Sequence, residues 1–223
     1  MTGDRVRRQP GGSSEDLVRA SRRAGVTDER VLDAVRRTPR TAFVSEDDVA
    51  LAYTDQPVPI PHGQVTTQPS LSATMVAALE VSGTERVLEV GTGYGYQTAL
   101  LARLAAQVVS VELWVDLAER ARRNLTSQNL DNVIVAVGDG TQGVPAHAPY
   151  DAVLVSAAFP EVPPPLVEQL RPGGRLVQPV GPGGWEEVVL YARGPEGLER
   201  RRVLTLAHFV RLYGRYGYPP TRP

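Results

Sequence analysis

The chain has 223 residues, with 24 Lys plus Arg against 25 Asp plus Glu and a formal net charge of -1, so it carries no broad basic field for nucleic acid or anionic lipid. Hydrophobic residues make up 42% and charged residues 22%, an ordinary globular balance, and the lack of cysteine removes disulfides, thiol nucleophiles and Cys-ligated metals. The opening MTGDRVRRQPGGSSED has no apolar signal-peptide core, and no run approaches the roughly 18 apolar residues of a membrane span, so the expected address is the cytoplasm.

Residues 1–14 read as a flexible tail, because Gly, Ser and Arg there cannot offset the entropy of ordering. One domain is expected over residues 15–213, followed by a short C-terminal tail, residues 214–223. EDLVRASRRAGV and TDERVLDAVRRTP place apolar residues at helical spacing. Thr27 suits an N-cap, Asp28 and Glu29 suit the first turn, and Pro39 closes the second helix. Residues 52–69, AYTDQPVPIPHGQVTTQP, hold four prolines and no helical period, which predicts an extended surface loop of fixed shape. In SLSATMVAALE a helix resumes, with Ser70 as its cap and Leu71, Met75, Ala78 and Leu79 on one face.

From there β-rich runs alternate with helical segments: RVLEV, QVVSVE, NVIVAVGD, YDAVLVSAA and GRLVQPVG, separated by YQTALLARLAA, WVDLAERARRNLTS and PPPLVEQLRP. Strands nearly continuous in Val and Leu imply a mostly parallel sheet covered on both faces. EEVVLYAR and RRVLTLAHFV have no helix between them and read as an antiparallel pair completing the sheet.

In such sheets ligands sit beyond the carboxyl ends of the strands, where strand order reverses. Gly91, Gly93 and Gly95 in VLEVGTGYGYQ occupy that place. Either they form a tight strand-to-helix turn and nothing more, or their backbone approaches a ligand. Glu112 ends the next strand, where an acid accepts hydrogen bonds from both ribose hydroxyls. Asp139 and Gly140 follow the third strand, where they suit the border of an adenine ring. Each acid alone also fits a solvated strand end; together with the loop they point to a nucleoside. The spacing G-x-G-x-G differs from the dinucleotide fingerprint G-x-G-x-x-G. Glu89 just before it is unwelcome beside a pyrophosphate but suits the ammonium and sulfonium region of S-adenosylmethionine.

With TPRTAFV, AYTDQPVPIPHGQVTTQPS, VLEVGTGYGYQTALLARL, VGDG and YDAVLVSAAFPEVPPPLVEQLRPGGRLVQPVG, the chain resembles the protein-L-isoaspartate O-methyltransferases over about residues 25–212. The resemblance implies an α/β, Rossmann-like class I methyltransferase fold that uses S-adenosyl-L-methionine and leaves S-adenosyl-L-homocysteine. It further implies methylation of the α-carboxylate of L-isoaspartyl residues in damaged proteins and peptides, which initiates repair through a succinimide. A related reading is an aspartyl O-methyltransferase tailoring one ribosomally made peptide. The implied cofactor residues are Glu89, Gly91, Thr92, Gly93, Gly95, Tyr96, Gln97, Glu112, Leu113, Asp139 and Gly140. Those implied for the substrate are Gln64, Val65, Thr66, Thr67, His208 and Val210, with Thr67 acting on the carboxylate where the family typically has serine. Read without the resemblance, Thr66 and Thr67 equally suit capping the next helix or bracing the loop. Phe159, His208 and Arg211 depart from the family pattern on the substrate side. Tyr96 and Trp114 suit either the cofactor border or packing. His62, His147 and His208 are too scattered for a metal set. The expected enzyme is a monomer without nucleic-acid or membrane partners.

Overall fold

The computed structural model describes residues 11–219. Most of the expected N-terminal tail lies outside this span. Helix α1 (Ser14–Arg23) begins where the Ser13 amide donates to the Asp16 carboxylate at 2.9 Å. In α2 (Glu29–Arg37) the cap is Asp28, not Thr27: its carboxylate accepts the Arg30 amide at 2.9 Å, satisfying one of the orphan amides of the first turn. The proline segment is not a plain surface loop. It folds a two-stranded antiparallel hairpin, β1 (Pro59–Ile60) and β2 (Gln64–Val65), and it buries Ala52 and Val58 completely against Val44. Helix α3 (Pro69–Ala78) then opens with Pro at its first position and Gln68, rather than Ser70, at the cap.

Seven strands make the main sheet: β3 (Arg86–Val90), β4 (Gln107–Glu112), β5 (Val133–Val137), β6 (Tyr150–Val155), β7 (Leu170–Val180), β8 (Glu186–Gly194) and β9 (Gly197–Ala207), in the order β5-β4-β3-β6-β7-β8-β9. The first five run parallel, and β8 and β9 add antiparallel pairings, as the helix-free C-terminal runs predicted. Helices α4 (Tyr96–Ala102), α5 (Val115–Ser127) and α6 (Pro164–Gln169) connect the parallel strands.

Alternation along the strands splits the core in two. Val87, Val108, Ala152 and Leu154 pack with Leu17, Leu32, Met75, Leu100 and Leu125 from α1 to α5. Leu88, Val109, Val153 and Val155 pack on the other face with Leu166 and Leu170. Both faces are covered, so the strands read as continuous apolar runs. Because β4 lies on one side of β3 and β6 on the other, the order reverses at the carboxyl end of β3, where the three glycines stand. Strand β9 closes the sheet as an edge, with Arg200, Arg201 and Arg202 exposed in succession. Among the described residues no helix is long and apolar enough to cross a membrane.

The expected C-terminal tail is held on the body as far as Tyr218. The Arg215 amide donates to Asp139 at 2.8 Å, the Tyr216 amide to Thr141 at 3.1 Å, and the Tyr218 amide to the Leu212 carbonyl at 2.8 Å. Tyr218 also packs edge-on to Phe159, with ring centroids 5.1 Å apart.

Candidate functional site

At the switch point an open cleft lies beyond the carboxyl ends of the strands, the place where open α/β sheets bind their ligands. Its floor is the turn between β3 and α4. Gly91, Gly93 and Gly95 all take positive φ, 94°, 55° and 92°, a region costly for a residue with a Cβ. At Gly95 an added Cβ would lie in ordinary contact, 3.4 Å from Leu125 of α5, so the left-handed backbone and not a shortage of space calls for glycine there. Glu112, 5% exposed, lines the cleft. Its two oxygens accept the Gly93 amide at 2.8 Å and the Trp114 amide at 3.1 Å. Burial raises its pKa while those amides oppose the rise, and each oxygen keeps a lone pair for a hydroxyl in the cleft.

Glu89 does not line the cleft, which corrects its expected role as a direct cofactor contact. Because the pleat turns it toward α4 it is fully buried. There one oxygen accepts the Thr98 hydroxyl at 2.5 Å and the Ser110 hydroxyl at 2.6 Å. Ser110 in turn receives Thr92 at 2.6 Å, which ties the glycine turn to the sheet. Desolvation pushes the Glu89 pKa up to about 7. Gln97 does line the cleft; its amide nitrogen donates to Ser156 at 2.7 Å, while its oxygen and the Ser72 hydroxyl are buried without a partner.

The hairpin covers the cleft from one side. Ile60 packs with Tyr94, Leu117 and Trp114, and Gln64, Val65, Thr66 and Thr67 line the wall. The hairpin is tied down at its tip, where His62 (φ 62°) stacks on Trp114 with centroids 4.0 Å apart and planes 5° apart. The His62 Nε2 also sits 2.9 and 3.0 Å from the two Asp116 oxygens. At the base is Arg40, fully buried and unassigned by the sequence reading, although it stands in TPRTAFV. Its guanidinium donates to the carbonyls of Thr54 and Gln56 at 3.0 and 3.1 Å and to the Thr66 hydroxyl at 2.9 Å, with its charge 5.6 Å from the Tyr96 ring centroid. Burial lowers its pKa to about 10, still charged near neutrality.

Thr66 and Thr67 therefore divide. Thr66 braces the loop: its hydroxyl accepts from Arg40 and from the Val58 amide at 3.0 Å. Thr67 does not cap α3, because Asp55 reaches across from the proline segment to accept the Ser70 amide and hydroxyl, each at 2.8 Å. Among the described residues the Thr67 hydroxyl has no hydrogen-bond partner, and it borders the cleft.

Leu113, Gly140, Ser156, Ala157, Val210 and Arg211 complete the opposite wall. Asp139 is absent from it. Its carboxylate is consumed by Thr141, Gln142 and the Arg215 amide, so it fastens the C-terminal segment instead of bordering a ring. His208 is also outside the cleft: it is exposed and lies against Trp185, centroids 4.1 Å apart. Both had been expected at the site. Ser156 was findable as the tip of β6; Ile60, Ser72 and Arg40 depend on how the proline segment folds back, which no spacing rule conveys.

The family model for protein-L-isoaspartate(D-aspartate) O-methyltransferase (PCMT) matches residues 12–217. A Methanoculleus marisnigri protein-L-isoaspartate O-methyltransferase is 48% identical over 218 residues, covering 98% of this chain and 97% of its own. One from Anaeromyxobacter dehalogenans is 51% identical over 190 residues, with 84% and 91% covered. A solved protein-L-isoaspartate O-methyltransferase superposes with a TM-score of 0.81 at 28% identity, over 92% of this chain and 67% of that one. A Plasmodium falciparum structure in complex with S-adenosyl-L-homocysteine shares the fold, with a TM-score of 0.77 at 22% identity over 91% of this chain and 99% of that one.

Proposed function

Because the chain belongs to the protein-L-isoaspartate(D-aspartate) O-methyltransferase family and methylates isoaspartyl carboxylates with S-adenosylmethionine, we propose how the cleft at the switch point divides the work. When bound, S-adenosylmethionine supplies a methyl group on a positively charged sulfonium and leaves as S-adenosylhomocysteine. The residues present fit it. Glu112 accepts the ribose hydroxyls, Leu113 and Gly140 border the base, and Gly91, Thr92 and Gly93 bring bare backbone against the ligand. The unpartnered Gln97 oxygen and Ser72 hydroxyl suit an ammonium. Tyr96 lines the cleft as well, with Arg40 over its ring.

At the other end Thr67 donates its hydroxyl to the substrate carboxylate, while Gln64, Val65 and Val210 hold the peptide. No base is required. A free α-carboxylate has a pKa of about 3.5, so near neutrality it is already an anion. What the protein supplies is alignment of that anion, which is worth on the order of 7–11 kcal/mol in well-oriented systems, and a wall that keeps water out. The resulting ester carries a better leaving group, methoxide, than the free acid does. A neighbouring backbone nitrogen attacks the ester carbonyl and expels methanol to give a succinimide, which water opens in part to normal aspartate. The same reading places the enzyme in the cytoplasm as a monomer of one domain that works on damaged polypeptides without nucleic acid. The peptide-tailoring alternative has no support from relatives that are named protein-L-isoaspartate O-methyltransferase and match 98% and 84% of this chain.

The observation that carries this assignment is that the glycine turn, Glu112 and the unengaged Thr67 hydroxyl face one cleft. The test is methyl transfer to two peptides of identical sequence, one with L-isoaspartate and one with aspartate. Transfer to the isoaspartyl peptide alone is expected, with T67A slowed and T67S active. Equal transfer to both peptides, or a T67A variant as fast as the parent, would refute the assignment of substrate or of Thr67.

A further inference from the structure

Among the described residues only two side chains in the cleft wall carry a formal charge: Glu112 beside the glycine turn and Arg211 on the wall shared with Val210 and Tyr213. Glu112 is buried and engaged by backbone amides. Arg211 is exposed, and among the described residues no carboxylate lies within ion-pair reach of it.

Arg211 is also presented in a fixed place. Its backbone is pinned by Ala158, which donates to the Val210 carbonyl at 2.8 Å and accepts from the Leu212 amide at 2.9 Å. Its guanidinium carbon lies 5.0 Å from the Tyr218 ring centroid. Tyr218 is itself held, edge-on to Phe159 at 5.1 Å and with its hydroxyl on the Pro182 carbonyl at 3.1 Å. A guanidinium stacked on an aromatic face keeps its in-plane N–H groups available for a carboxylate.

Resting on the function proposed above, we propose that Arg211 is a specificity-determining residue: it selects isoaspartyl chains that carry an acidic side chain next to the isoaspartate. The reacting carboxylate is the poorer partner. A two-point guanidinium clamp would occupy the oxygen lone pairs that must attack the methyl carbon, whereas a second carboxylate on the flanking chain can take that clamp without loss. Such a contact at the rim acts mainly on encounter and weakens with salt.

The experiment uses three L-isoaspartyl peptides that differ only at the residue flanking the isoaspartate, Glu, Gln or Lys, with the parent enzyme, R211A and R211E. The parent is expected to prefer Glu over Lys by about tenfold in kcat/KM at low salt, in keeping with one rim ion pair, and the preference should shrink as salt rises. In R211A the Glu-to-Lys ratio should approach one, and in R211E it should invert. Equal kcat/KM for the three peptides in the parent, or a ratio that survives R211A unchanged, would overturn the inference while leaving methyl transfer intact. Absence of transfer to all three peptides by the parent would refute the methyltransferase reading and this one with it.

Discussion

Glu89 and Glu112 end adjacent strands, yet their surroundings give them opposite characters. Glu112 keeps its oxygens on backbone amides at the cleft, while Glu89 is sealed among hydroxyls with a pKa near 7. An unfolded glutamate ionises near 4.3, so between there and about pH 7 the folded state holds the extra proton. Stability from this residue is therefore lost as pH rises through that window. The pH slope of the melting temperature should be more positive in E89Q than in the parent from about pH 4.5 to 7. Identical slopes would show that Glu89 is ionised in the fold across that range. The same paired logic separates the threonines: Thr66 is spent on Arg40, and Thr67 is free only because Asp55 has taken over the start of α3.

At the scale of elements, the hairpin β1–β2 is short and holds its position through its ends. The ring stack of His62 on Trp114 and the contact with Asp116 fix the tip; Arg40 fixes the base. An aromatic stack contributes about 0.5–1.5 kcal/mol and a hydrogen bond about 0.5–1.5 kcal/mol. H62A and W114A should each therefore weaken S-adenosylhomocysteine binding by about three- to tenfold in titration calorimetry, with W114F intermediate. Unchanged affinity in both would mean that the hairpin stays shut without its latch. This element also marks where sequence reasoning stops. The strands β3 to β9 and the glycine turn were legible because apolar alternation and glycine spacing are local properties. The hairpin, the Arg40 anchor and the removal of Asp139 and His208 from the site depend on contacts between segments far apart in the chain. Proline density signals a fixed shape and leaves the direction of the fold-back open.

Over the whole molecule, the cleft sits at the middle of the sheet and the C-terminal segment returns to close its far wall, so residues as far as Tyr218 are part of the site's frame. The sheet itself ends at β9, an eleven-residue edge strand. Arg200 pairs with Glu187 and Arg201 with Glu199, while Arg202 adds charge without an ion-pair partner among the described residues. Three consecutive cations make a poor template for an incoming strand. Replacing all three with threonine should raise light scattering when the enzyme is mixed with a partly unfolded client, with cofactor affinity unchanged; scattering equal to the parent would show that the arginines are dispensable there. An enzyme that engages polypeptide chains brings foreign backbone near its own at each turnover, and a bare edge would turn each visit into an opportunity for adhesion. The arginine run lets it touch such chains at the cleft and part from them clean.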